Sequence, residues 1–302
     1  MYQPKQPNNA AAAALIATAT AFIAATTLMA KALGDDVLGP ALHPFQISHG
    51  RFLFAFVTFG LSAVILRPSM SAPHWGLHAT RTILGWGGVT LMFTSVAYIP
   101  LADATAISFL NPVFAMVLAI PLLGERVGPA RWSAAVIALI GALILLRPTP
   151  NSFQPAALFA LTAAVAMGLE LIFIKKLSGR EPIFQILLVN NLIGLGIATV
   201  AVLPVWTPPT PLQWAALAGL GMLMACAQTC FLQAMRNADA SFTLPFSYAT
   251  LVFAALYDAW IFGVIPDGVS VVGAVVIVAG AAVLAWREGR AQGPRVSAGT
   301  RS

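Results

Sequence analysis

Charge is what this sequence has least of: Asp, Glu, Lys and Arg make up 9% of its 302 residues, where a soluble domain carries about a quarter. So sparse a polar surface excludes a water-soluble globular domain and leaves no basic face for nucleic acid. Cysteine is nearly absent, with only Cys226 and Cys230. Four apart on one helix, they point the same way but cannot bridge within it, so small apolar packing is their role. The four histidines, His43, His49, His74 and His78, sit in loops or near the ends of apolar runs. No His-Glu-x-x-His pair, phosphate loop or dinucleotide fingerprint occurs, so no catalytic residue, metal or cofactor is expected. A membrane enzyme is the competing class. Tyr257-Asp258 supplies half of the aspartyl intramembrane-protease pattern, but the Gly-x-Gly-Asp partner and any Gly-x-Ser-Gly nucleophile are missing. A scaffold or receptor would need a sizeable loop to present, and the chain has none.

What the chain has instead is hydrocarbon. Hydrophobic residues make up 59% of it and the mean hydropathy is +0.85. They fall into ten runs, near residues 10–33, 44–66, 78–98, 103–123, 129–147, 153–176, 182–203, 211–235, 239–263 and 268–286. Each can cross roughly 30 Å of hydrocarbon as a helix. The expected fold is an all-α integral membrane protein with ten transmembrane helices. The alanine-rich first run is too long for a secretory signal and lacks a cleavage site followed by a soluble domain, so it is expected to remain. Lys and Arg set the orientation. With the N-terminus inside, the cytoplasmic segments hold Lys5, Arg67, Arg81, Arg126, Arg131, Lys175, Lys176, Arg180, Arg236 and the four C-terminal arginines, against Lys31 and Arg147 outside. Both termini are therefore expected in the cytoplasm, in a multi-pass protein of the cell (inner) membrane. The sequence pI of 9.8 then reflects topology and lipid contact.

The chain is also duplicated. Ala102-Asp103-Ala104-Thr105 returns as Ala238-Asp239-Ala240-Ser241, Val113-Phe114-Ala115 as Val252-Phe253-Ala254, Gly124 as Gly263 and Gly141 as Gly280; Phe45-Gln46-Ile47 echoes in Phe184-Gln185-Ile186, and Lys31 in Lys175. Two five-helix units are expected, at 10–147 and 153–287, between cytoplasmic tails at 1–9 and 288–302. Five is odd, so the second unit enters the membrane inverted, an architecture associated with alternating access. Pro112 and Pro121 interrupt the fourth run and Pro245 the ninth; Pro112 and Pro245 are the candidate hinges. Gly85, Gly87 and Gly88, with Gly219 and Gly221, invite close helix approach.

The segment AISFLNPVFAMVLAIPLLGERVGPARWSAAVIALIGALIL, with Gly124-Glu125, Trp132 and Gly141, resembles the EamA-type repeat of the drug/metabolite transporter superfamily, and Arg51-Phe52 matches the arginine-aromatic pair often seen in its second helix. The likeness covers about residues 10 to 287, although Val264 replaces the second copy's glutamate. Taken whole, the chain looks most like that superfamily's aromatic amino acid exporters. The resemblance implies a central cavity lined mainly by helices 1, 3, 4, 6, 8 and 9, and export of amino acids or related amphipathic metabolites. Multidrug or other metabolite efflux on the same fold is the alternative. The expected partners are a small-molecule substrate and membrane lipid, around a single copy of the chain.

Ionisable residues inside the runs are few: Arg51, Glu170 and Asp258. Such residues mark either function or an ion pair. Arg51 and Asp258 both fall in the outer third and could pair, so both are read as structural charges, with Arg51 contacting a substrate carboxylate as the alternative. Glu170 is either a receptor for an α-amino group or a proton, or a lipid-side carboxylate neutralised by Lys175 or by a raised pKa. Asp103 and Asp239 start helices and are read as N-caps, Glu125 as serving the cytoplasmic turn before helix five. The polar wall of a cavity is expected from Trp86, Tyr98, Ser108, Asn111, Gln228, Ser247, Tyr248 and Tyr257, with Tyr98 and Tyr257 equally suited to anchor at the interface. Asn190-Asn191 is read as a bridge between helices.

Overall fold

A computed structural model describes residues 8–35, 37–96, 98–99, 101–148, 155, 157–263 and 266–291; the side chains of residues 93, 96, 101–103, 258, 262 and 288–291 lie outside that description. The two tails and the side chains of Asp103 and Asp258 therefore lie largely or wholly outside it, and so does the expected Arg51–Asp258 pair.

Helices are the only extended regular elements among the described residues. The first unit comprises α1 (Asn9–Gly34), α2 (Pro44–Leu66), α3 (Trp75–Val96), a fourth span broken into α4 (Leu101–Ser108) and α5 (Asn111–Leu123), and α6 (Pro129–Leu146). The second comprises α7 (Ala157–Ser178), α8 (Ile183–Val202), α9 (Pro211–Asn237), a ninth span broken into α10 (Ala240–Thr243), a 3-10 stretch (Leu244–Tyr248) and α11 (Ala249–Phe262), and α12 (Gly268–Ala291). Local chemistry sets the ends. Proline occupies the first turn of α2, α5, α6 and α9, where no intrahelical N–H is lost. Thr210 and Gln213 close a reciprocal capping box on α9. Gly124 ends α5 at φ 70°, a left-handed conformation that favours glycine, and its repeat equivalent Gly263 has φ 66°.

Among the described residues, nine helices are long and apolar enough to cross a membrane. The third span, α3, is not among them, because it starts at Trp75 and carries His78, Arg81 and Thr82 as buried polar side chains. The faces turned outward are hydrocarbon, as Val64, Ile65, Val200, Leu203 and Trp260 show, each more than two-thirds exposed. Such surfaces are stable only in lipid.

Packing follows a two-fold rule. Shifting each helix by one unit converts the α1–α9 contact into α7–α3, α1–α11 into α7–α5 and α2–α9 into α8–α3, while α2–α8 and α6–α12 map onto themselves, and every one of these contacts is present. The rule extends to individual contacts. A Cβ on Gly141 would lie 2.9 Å from the Gly273 carbonyl, and one on its equivalent Gly280 would lie 3.5 Å from the Ala134 carbonyl. Ser71 N–H donates to Gln185 Oε1 at 2.7 Å, and the equivalent Thr207 Oγ1 donates to Gln46 Oε1 at 3.0 Å. Phe109 and Tyr248, equivalent by the same shift, meet on the axis: the rings are 5.8 Å apart and the Tyr248 hydroxyl donates to the Phe109 carbonyl at 2.7 Å. That carbonyl sits at the break between α4 and α5, so Tyr248 is a structural pin rather than part of a cavity wall.

Gly85, Gly88 and Gly221 are close-approach sites, Gly219 makes ordinary contact with Met29, and Gly87 faces open space. Gly141→Val should therefore force α6 and α12 apart, at about 1–3 kcal/mol, whereas Gly87→Ala should be neutral or slightly stabilising. Thermal melting of the two purified variants in detergent checks the contrast.

Candidate functional site

Two adjoining cavities open inside the bundle. The inner one, about 160 Å³, is bounded by α2, α3, α7, α8 and α9, and its lining includes Arg51, Arg81, Glu170, Asn190, Gln228 and Trp86. The second, about 550 Å³, runs between α1, α2 and α9 to the α1–α2 connection at Asp35 and Leu42. They share Ser48, Arg51 and Val89. Helices two and seven thus line them in place of the fourth and ninth spans that the resemblance implied.

The inner cavity brings together three charges. Arg81, assigned from the sequence to a cytoplasmic segment, lies six residues into α3, about 9 Å along it, with its side chain 4% exposed. Its Nε is 3.9 Å from Glu170 Oε1, within ion-pair range but beyond a hydrogen bond. The Arg51 guanidinium lies 4.1 Å over the Phe52 ring and borders both cavities, so it faces inward and does not snorkel to headgroups. Glycine makes room for the carboxylate: a Cβ on Gly85 would come within 2.7 Å of all three Glu170 carboxyl atoms. On the neighbouring wall, Phe52 packs on Gly194, and Asn191 donates to Gln228 Oε1 at 2.9 Å, a bridge between α8 and α9.

Of the residues picked from the sequence, Trp86, Glu170, Gln228 and Arg51 come together here, and the others do not. Tyr98 is two-thirds exposed and stacks on Phe159. The Ser108 and Ser247 hydroxyls donate to the carbonyls of Thr105 and Leu244, bonds internal to their own turns. Asn111 opens α5, its carbonyl against Gly168. Tyr257 donates to the Ala21 carbonyl at 3.3 Å, joining α11 to α1. Polar side chains near a helix break are used up by orphaned or neighbouring carbonyls, which spacing alone does not reveal. The sequence reading missed Arg81, Thr82 and Ser48 as cavity residues, and of the expected Asn190-Asn191 bridge Asn191 makes the bond while Asn190 lines the cavity. The available signal was His78, Arg81 and Thr82, which share one face by helical spacing once α3 is started at Trp75.

At the end opposite the α1–α2 connection, polar groups tie the two units together. Glu125 accepts from Ala240 N at 2.8 Å, Ser241 N at 3.0 Å and Ser241 Oγ at 2.6 Å. It thereby caps α10, a role expected of Asp239; the Asp239 carboxylate instead pairs with Arg131 at 2.9 Å. Lys175 donates to the carbonyls of Met235 and Ala238 and is not the neutraliser of Glu170. Beside this closure, in the α7–α8 connection, buried Glu181 accepts from His74 N at 2.6 Å and Gln185 Nε2 at 2.8 Å, with His74 Nδ1 and His78 Nε2 at 2.8 and 2.9 Å. Burial pushes its carboxyl up, but the His74 backbone N–H and the two imidazoles outweigh that and hold it below its usual value.

This sign fixes a pH dependence. A carboxyl that titrates lower in the folded than in the unfolded state stabilises fully above its unfolded value, and that contribution is lost as pH falls through the folded one. The melting temperature should therefore fall more steeply below about pH 4 for the native protein than for Glu181→Gln, as detergent melts across a pH series would show.

The chain is similar to known proteins in sequence and, for a solved structure, in fold. The chain is 28% identical over 243 residues to the "S-adenosylmethionine uptake transporter" of Rickettsia prowazekii (strain Madrid E), covering 80% of this chain and 82% of that protein. It is 32% identical over 220 residues to the "Riboflavin transporter" of Vibrio cholerae, covering 72% and 74%, and 27% identical over 204 residues to the "Pseudopaline exporter CntI" of Pseudomonas aeruginosa, covering 66% and 70%. A solved crystal structure aligns with a TM-score of 0.80 at 21% identity, covering 94% of this chain and 99% of that one, a likeness of fold alone. Residues 10–147 and 154–286 each match the EamA-like transporter family, and the chain belongs to that family.

Proposed function

We propose that this membrane transporter carries amino acids, aromatic and other neutral ones among them, and related amphipathic metabolites out of the cytoplasm across the cell (inner) membrane. The observation that carries the reading is one cavity between the two units that holds both signs of charge beside aromatic rings, Phe52 and Trp86. A zwitterion with an apolar body needs that combination of walls. The relatives' names include both uptake and export, in keeping with a carrier whose direction follows the gradient of its cargo. For an amino acid made or accumulated in the cell, that gradient points outward.

Alternating access supplies the mechanism. With both termini in the cytoplasm, the described conformation is closed at the cytoplasmic end by Glu125, Lys175 and Arg131, and its larger cavity reaches the outer end at Asp35. The two units, 10–147 and 153–287, rock about their broken spans, with Pro112 in the first turn of α5 and Pro245 in the 3-10 stretch as hinges. One chain encloses the whole cavity, so a monomer suffices.

Purified protein in proteoliposomes should show saturable counterflow of labelled aromatic amino acids; folded protein that exchanges none of a neutral amino acid panel would overturn the cargo assignment. In a background with Cys226 and Cys230 replaced by Ala, Glu125→Cys with Ser241→Cys oxidised to a disulfide should abolish flux, and reduction should restore it. Continued flux through the cross-linked protein would refute closure at that end.

A further inference from the structure

On that reading of the cavity, each of its charges has a different part of the cargo to receive. The two-fold rule offers an internal comparison, because every position in the inner cavity has an equivalent in the other unit. The pairing Gln46 with Gln185 places Asn190 opposite Arg51, Lys31 with Lys175 places Thr26 opposite Glu170, and the matched starts of α3 and α9 place Leu217 opposite Arg81. Thr26 and Leu217 are both buried. The α3–α7 packing that carries Arg81 and Glu170 thus recurs in the α1–α9 packing with Leu217 and Thr26, while Asn190, the equivalent of Arg51 across the self-equivalent α2–α8 contact, lines the same cavity. The equivalent α1–α9 contact packs without the charges of Arg81 and Glu170.

A second observation points to a ligand. Nε and Nη1 of Arg81 are buried and have no hydrogen-bond partner among the described residues. Buried donors are ordinarily satisfied, and a guanidinium matches a carboxylate in two parallel hydrogen bonds. Glu170 is near enough to compensate the charge of Arg81 yet makes no hydrogen bond to it. With two cations against one carboxylate, the cavity also holds a surplus positive charge in a medium of low dielectric constant.

We propose that Arg81, with Arg51, is the carboxylate-binding subsite for the cargo, and that Glu170 stands in for that carboxylate while the cavity is empty. On binding, the cargo's carboxylate takes the free N–H groups of Arg81 and its ammonium takes the released Glu170. The surplus charge makes the carboxylate the dominant determinant, so an acid lacking the amino group binds and an amine lacking the acid does not.

Three compounds of one shape test this: L-phenylalanine, 3-phenylpropionate and phenethylamine, each added to purified protein in thermal-shift measurements and as competitors in counterflow. The acid should raise the melting temperature and compete, and the amine should be weaker than the acid by about tenfold or more. Glu170→Gln should tighten the acid severalfold relative to phenylalanine; Arg81→Gln should abolish the acid's effect, with Arg81→Lys restoring part of it. Acid and amine acting equally, or folded Arg81→Gln protein that still prefers the acid, overturns the subsite, as does the absence of any shift with the acid. A shift with the acid but no exchange of any amino acid leaves the subsite standing and removes the amino acid transport reading instead.

Discussion

Lipid gives helices no hydrophobic reason to associate, since a neighbouring helix is no more apolar than an acyl chain, and this constraint governs how the protein is built. Cohesion has to come from close backbone approach and from polar groups with nowhere else to turn. Both are visible at the junction of the two units. Gly141 and Gly273 bring α6 and α12 into backbone contact. Gln46 and Gln185 each reach across to a hydroxyl-bearing residue of the other unit, and the Tyr248 hydroxyl satisfies a carbonyl at the break of the fourth span. Each bond also closes an account that hydrocarbon would leave open, because an unpaired polar group costs more in lipid than in water.

A duplicated scaffold makes departures from symmetry informative. Some structural pins come in equivalent pairs, as with the two glutamines and the two helix-ending glycines, Gly124 and Gly263. The charges of the inner cavity are not paired in this way: the position equivalent to Arg81 is Leu217, and the position equivalent to Glu170 is Thr26. Burying charge in a bilayer is expensive, and nothing in the packing of the equivalent site calls for it. The cluster of Arg51, Arg81 and Glu170 therefore reads as chemistry added to a fold that already closes without it.

Closure at one end has the same economy of parts. Glu125 of the first unit serves as the cap of a helix in the second, and Lys175 sits on carbonyls at the junction of α9 and α10. These are hydrogen bonds to backbone, which water can replace. A dry, interdigitated closure would cost more to part.

Composition and periodicity were enough for the all-helical class, the apolar spans and the duplication, because these depend on runs of residue type and on recurrences along the chain; the family came from the resemblance of one segment to a known repeat. They also pointed to Trp86, Gln228, Glu170 and Arg51 as polar groups at membrane depth. They could not say which of many polar side chains face one another. Tyr248, Ser108, Ser247 and Tyr257 resemble cavity residues in one dimension and prove to satisfy carbonyls. Arg81 resembled a loop cation until the true start of α3 placed it inside. Where a helix begins, which face it turns inward and which carbonyl lies opposite a hydroxyl are settled by packing between segments far apart in the chain. Only the tertiary structure decided those, because a shift of two or three residues in a helix start turns a side chain from the aqueous end to the buried face.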